Sequence, residues 1–200
     1  MKTKKTNEDK KKLIINAAIE VFAKQGLEKG KIADIAKVAN IGKGTVYEYF
    51  KSKTEIFGAI EKMFIFDSIG QINKLTQSKQ SPTKKIEEII SYSINMHAAM
   101  GDAALILAEL WTQHGRGQLP GHKDSAFAKM YNDFHRAVLD VLTQGINAGV
   151  LRTMNKDGVA SLLLAFIDGI IWQNIIFKND KDFNKHKKAA IKSFMNGIKK

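Results

Sequence analysis

The chain contains no cysteine in 200 residues. That excludes disulfides, thiol catalysis and cysteine-bound metals. There is no G-x-S-x-G nucleophile turn and no phosphate-binding glycine loop, so the common hydrolase and nucleotide motifs are missing. The histidines, His97, His114, His122, His135 and His186, form no H-x-x-x-H or H-x-x-E-H pair. Acidic residues are scattered singly, where solvation is their usual role. Neither a metal, nor a cofactor, nor an enzyme is expected. The N-terminus has no apolar stretch behind its lysines, so no signal peptide is expected. The most apolar segment, Val159–Phe177, is broken by Ser161, Asp168, Gln173 and Asn174. It reads as a buried helix rather than a membrane span, and a cytoplasmic protein is expected.

What is present is positive charge. The net charge is +12 and the pI about 9.7. Residues 1–53 carry +7, and the longer stretch 54–200 only +5. Basic density of this kind, concentrated in one part of a chain, is the electrostatic footprint of a nucleic-acid binder.

The densest information lies in residues 32–53, IADIAKVANIGKGTVYEYFKSK. Ile32, Ile35, Ala36 and Ala39 fall at i, i+3, i+4 and i+7, one face of a helix. Val46 and Phe50 repeat the i, i+4 spacing. Between them, Asn40 is a residue that tolerates the left-handed conformation, and Gly42 is an acceptable N-cap. The pattern predicts two short helices joined by a tight turn, the layout of a helix-turn-helix DNA reader. The outer face of the second carries Lys43, Gly44, Thr45, Tyr47, Glu48 and Tyr49. Lysine supplies phosphate affinity, Thr45 offers a hydroxyl and a methyl to base edges, and Gly44 lets the backbone come close to a duplex. Ser52 and Glu55 form a capping box that starts another helix near Lys53, where helix N–H groups and a lysine together suit a phosphate.

The ordered set Gly26, Ile32, Asp34-Ile35-Ala36, Ala39, Gly44-Thr45-Val46-Tyr47, Tyr49-Phe50 and Ser52-Lys53 resembles the N-terminal domain of the TetR family of transcriptional regulators, over roughly residues 10 to 57. The resemblance implies an all-α chain of about nine helices. Residues 1–53 would be a three-helix helix-turn-helix DNA-binding domain, and residues 54–200 a helical effector-binding and dimerisation domain. By position, the family's DNA contacts fall on Lys43, Gly44, Thr45, Tyr47, Tyr49 and Lys53; Lys31, where the family often has threonine nearby, is a further phosphate contact. The sequence departs from the family's usual turn, with Ala39-Asn40-Ile41-Gly42 in place of Ala-Gly-Val-Ser, and Glu48 stands where a neutral or basic side chain is common. A carboxylate beside phosphates is unfavourable, so Glu48 is expected to point sideways or to accept from a cytosine.

Helical spacing continues along the chain. Ile14, Ala17, Ala18, Val21 and Phe22 mark a first long helix, with Gly26 as its stop. Further helices are expected over about 54–77, 83–100, 102–114, 124–148, 155–177 and 181–198. Ser81-Pro82 reads as an N-cap followed by proline at the first helical position. Large apolar side chains interspersed with a few polar ones, Phe64, Met96, His97, Met100, Leu107, Trp111, Tyr131, Phe134 and His135, describe either an ordinary core or the lining of a pocket for a mostly apolar small molecule. The resemblance favours the pocket. It also implies that the last two helices form a seam with a second copy, through Phe166, Ile170, Ile171, Ile191, Phe194, Met195 and Ile198. A two-fold dimer reads two half-sites about 34–36 Å apart. The reading is thus a ligand-responsive repressor that binds a palindromic operator as a homodimer and is released by a small molecule. Its alternatives are a sequence-independent basic DNA binder, or a ligand carrier or enzyme with a vestigial reader domain.

Overall fold

The structure, a computed structural model, describes residues 7–100, 104–116, 126–177 and 180–200. The N-terminal residues 1–6, with Lys2, Lys4 and Lys5, lie outside them. Among the described residues there are nine helices and no named strand. They are α1 (Asn7–Lys29), α2 (Ile32–Val38), α3 (Lys43–Tyr49), α4 (Lys53–Gln77), α5 (Pro82–Met100), α6 (Ala104–Gly115), α7 (Ala126–Asn147), α8 (Lys156–Ile176) and α9 (Lys181–Ile198).

The chain divides into two compact units, one of residues 1–65 with 101–127, the other of 66–100 with 128–200. The first is built on the stripe read from the sequence: Ile14, Ala17, Ala18, Val21 and Phe22 of α1 are all buried. They share one apolar core with Ile35, Ala36, Val46, Phe50, Ile56, Phe57 and Ile60. Ile106 of α6 belongs to the same core, so the reader's fold draws on a helix more than fifty residues away in sequence. The division at residue 53 remains a proposed division by function.

Gly26 does not stop α1. It breaks the helix at φ 74°, ψ 164°, a conformation open essentially to glycine alone, and the chain resumes helical geometry up to Lys29. Gly30 then packs so tightly that a Cβ there would lie 2.8 Å from the Phe22 ring.

In the second unit, Ile86, Ile89, Ile90 and Ile94 of α5 are buried, as are Val138, Val141 and Leu142 of α7 and Leu163, Ile167, Ile170 and Ile171 of α8. Apolar residues at these spacings give each helix one core-facing stripe. Pro82 is the first residue of α5, and the Ser81 hydroxyl accepts from the Lys84 backbone N–H at 3.4 Å, the cap the sequence indicated. Lys85 is buried. Its ammonium donates to the Thr76 carbonyl at 2.7 Å and to Gln144 Oε1 at 3.0 Å, meeting the negative end of the α4 dipole and binding α4 and α5 to α7. Asn155 caps α8 by accepting from the Gly158 N–H at 2.9 Å. The last residues close against the turn after α7: the Arg152 N–H donates to the Ile198 carbonyl, and the Lys200 N–H to that of Val150.

Gly145, inside α7, separates two opposing effects. Alanine there would gain about 0.5–1 kcal/mol of helix propensity. Its Cβ, however, would lie 2.6 Å from Leu151 Cγ, and Leu151 is itself buried. Overpacking of that kind costs about 1–3 kcal/mol. Gly145→Ala is therefore expected to lower stability in urea unfolding. A gain in stability would show that Leu151 has room to move.

Candidate nucleic-acid interface

Burial of Ile35, Ala36, Val46 and Phe50 decides which face of α3 looks outward. Lys43, Gly44, Tyr47 and Glu48 are exposed and Thr45 is half-buried. The turn before α3 has the geometry its residues suggest. Asn40 is left-handed at φ 52°, and the Ile41 N–H donates to the Ala36 carbonyl at 3.0 Å. Gly42 is the N-cap, extended at φ −68°, ψ 145°, with no side-chain cap. A Cβ on Gly44 would meet nothing within 4 Å. Its value on this face is bare backbone, open to an approaching duplex.

Lys31, Lys43, Tyr47 and Lys53 line one open depression of about 750 Å³, together with Lys29, Glu28 and Asp34. Four lysines against two carboxylates leave it positive. Lys43 Nζ lies 5.8 Å from the centroid of the Tyr47 ring, within range of a cation–π attraction. Lys53 donates to the Glu28 carbonyl at 2.7 Å, which joins the start of α4 to the last turn of α1. An ammonium has three donors, so this bond leaves Lys53 others for a phosphate. At the same corner the Glu55 N–H donates to Ser52 Oγ at 3.1 Å, and the Lys51 N–H to Glu55 Oε2 at 2.7 Å. Glu55 thus reaches back one residue beyond the N-cap.

The remaining residues singled out on this element sit differently. Gly44 and Thr45 do not line the depression, and Tyr49 is half-buried with its ring against the apolar core. Glu48 points sideways, into a separate depression with Asn7, Glu8, Lys11 and Tyr49. Lys29 is the residue that sequence reasoning missed. Reading Gly26 as a stop removed the extra turn that carries it.

The residues singled out for an effector fall in both units. Phe64 packs on the core of the first unit, and Trp111 of α6 is half-buried in the same unit. In the second, the half-buried Met96 accepts from the Ser68 hydroxyl at 3.5 Å and from the Tyr92 hydroxyl at 3.4 Å. Tyr131 donates to Asp168 Oδ2 at 2.9 Å, and the His135 ring nitrogen lies 3.4 Å from both the Asp157 carbonyl and Ser161 Oγ. Tyr131 and His135 are one turn apart on α7 and both engage α8. Phe134 between them is half-buried. The side chains of His97, Met100 and Leu107 lie outside the described residues.

The residues expected at a seam differ in how far the single chain covers them. Ile170, Ile171, Met195 and Ile198 are 3–5% exposed within the single chain. They belong to its own core. Phe166 stacks on Phe194 with centroids 5.4 Å apart, and both are half-buried, as is Ile191. The exposed apolar side chains of α8 and the residue after it are Leu162, Trp172, Ile176 and Phe177. α8 is apolar all round, and the stripe read from the sequence is the one its own chain covers. By length and composition alone it is the one helix among the described residues able to cross a membrane.

A short helix held by its apolar face, a left-handed turn before it and a lysine-lined exposed side define a helix-turn-helix DNA-binding protein. Residues 14–60 match the family model for bacterial regulatory proteins of the tetR family. The chain carries the N-terminal DNA-binding domain of the TetR family of transcriptional regulators. It is similar to the fatty acid metabolism regulator protein of Bacillus subtilis, 29% identical over 140 residues that cover 70% of this chain and 69% of that one. It is 35% identical over 92 residues to the HTH-type transcriptional regulator YhgD of the same organism, covering 46% of this chain and 43% of that relative. Its fold is that of the crystal structure of the transcriptional regulator FadR from Bacillus subtilis in complex with stearoyl-CoA, with TM-score 0.74 and 22% identity over 94% of this chain and 98% of the other.

The Tyr131–Asp168 pair has a pH signature. Burial raises the Asp168 carboxyl above its usual range, and the Tyr131 hydrogen bond offsets part of that. A group whose pKa is raised on folding contributes stability that is complete at low pH and lost as pH rises through the folded-state value. Asp168→Asn keeps an acceptor for Tyr131 and removes the charge. It is expected to be more stable than wild type at pH 7, with the difference shrinking as the pH is lowered towards the ordinary carboxylate range. Urea unfolding at pH 7 and pH 5 checks this; an unchanged difference would assign the carboxylate a neutralising partner.

Proposed function

We propose that this chain is a ligand-responsive repressor that acts in the cytoplasm and binds a palindromic operator as a homodimer. The observation that carries the reading is the lysine-lined depression beside an exposed α3. Lys29, Lys31, Lys43 and Lys53 hold the phosphate backbone, and Gly44, Thr45 and Tyr47 meet the major groove. Tyr49, set against the core, positions α3.

One reader contacts few bases, and two copies read two half-sites. We assign the seam to the exposed apolar residues Leu162, Trp172, Ile176 and Phe177, flanked by the Phe166–Phe194 stack. Trp172→Asp is expected to turn a dimer into a monomer in sedimentation velocity.

The effector is a mostly apolar small molecule bound in the helical body, where Met96, His97, Met100, Tyr131, Phe134 and His135 are the residues of the second unit that the reading assigns. The bound stearoyl-CoA of the similar FadR structure supports an acyl-CoA as the first ligand to test. An effector releases operator DNA only if it binds the DNA-free state more tightly.

Base and phosphate roles separate experimentally. Lys31→Ala is expected to weaken binding to all duplexes and lower the slope of log K against log salt by about 0.9. Thr45→Ala is expected to change sequence preference and leave that slope in place. Competition binding with operator and random DNA over a salt series distinguishes the two. Equal behaviour of both variants would favour a sequence-independent basic binder. Addition of stearoyl-CoA should raise the apparent Kd for operator; no change at saturating ligand would remove this effector class.

A further inference from the structure

Within the first compact unit, a cavity of about 150 Å³ lies among α1, the start of α4 and α6. Its walls are Phe22 and Ala23 of α1, Phe57 of α4, and Leu105 and Ile106 of α6, with Glu109 as the one charged group. The Phe22 ring meets Phe57 edge-on at 6.3 Å, and a Cβ added at Gly30 would lie 2.8 Å from the same ring. Ile106 is 2% exposed. The backbone break at Gly26 and Leu27 just after it also border the space. Leu105 is 48% exposed, which gives the cavity an apolar side chain at the solvent.

We propose that this cavity binds one small neutral apolar molecule of about the size of a benzene ring. A mostly apolar space of roughly 150 Å³ has room for a benzene-sized guest. A drug-sized or acyl-CoA ligand needs a cleft of about 300–1,000 Å³, so this site differs from an effector pocket in the body. The mostly apolar lining sets the discrimination: an anionic guest would give up its hydration on entering. A neutral ring enters and an aromatic acid of the same size does not. Because the guest touches both α1 and α6, it stabilises the unit that holds the reader.

The test uses the full chain with benzene and benzoate as probes. Benzene is expected to raise the thermal midpoint by about 2–4 °C in a saturable way and to shift the Ile106 methyl resonances; benzoate at the same concentration does neither. Ala23→Leu fills the space and should abolish both responses while keeping the helical signal in circular dichroism. If that variant does not fold, Leu105→Trp, at the solvent side, is used to block the same space. Unmoved Ile106 resonances in wild type, or a benzene response that survives the filled variant, would overturn the site; equal responses to benzoate would overturn the selection of a neutral guest. Operator binding enters none of these measurements, so the outcome is independent of the repressor reading.

Discussion

A helix of seven residues does not persist in water by itself. α3 exists because Val46 and Phe50, essentially without solvent exposure, anchor it on a core that α1, α2, α4 and α6 also supply. That burial is the constraint on which the rest depends. It turns Lys43, Gly44 and Tyr47 outward and fixes the turn at Asn40. Together with the break at Gly26, it brings lysines from the end of α1, the N-cap position of α2 and the first residues of α3 and α4 around one depression. Lys29 and Lys31 lie two residues apart, but Lys43 and Lys53 are distant from them in sequence, and the gathering of all four follows from packing of apolar side chains on the far side of the same helices.

The body uses a different arrangement. Its core is aliphatic, with isoleucine the dominant residue of α5 and α8, and polar side chains serve as ties between helices. Tyr131 and His135 both reach α8, Lys85 ties three helices, and Lys156 donates to the Thr143 hydroxyl at 3.0 Å. Hydrogen-bonded groups at partly buried positions specify how the helices register, since leaving one without its partner costs about 1–3 kcal/mol. Aliphatic contacts alone tolerate sliding.

Much of this was legible in the order of residues. Asn40 and Gly42 marked the turn, Ser52 and Ser81-Pro82 marked helix starts, and the i, i+3, i+4 stripes of α1 and α2 marked the reader's core. These signals are local, and local physics produces them. Lys29 escaped because a glycine that breaks a helix and one that ends it look alike in sequence; only φ and ψ separate them. Ile106 escaped because its place in the reader's core is a contact across a long loop of chain. For α8, apolar residues all round left two stripes open, and periodicity alone does not say which one the chain keeps for itself. The structure gives the inner stripe to Ile167, Ile170 and Ile171 and leaves Leu162, Trp172 and Ile176 outside.

Lys85 has a practical consequence in a chain so rich in amines. Most lysines stand in solvent and would react with an acylating reagent at once, whereas this one is 6% exposed and has its nitrogen engaged twice. Its rate of chemical labelling is then a clock for the parting of α4, α5 and α7. A mass spectrometer reads that clock on unmodified protein, with no engineered probe, and does so in the body alone, whatever the reader is doing.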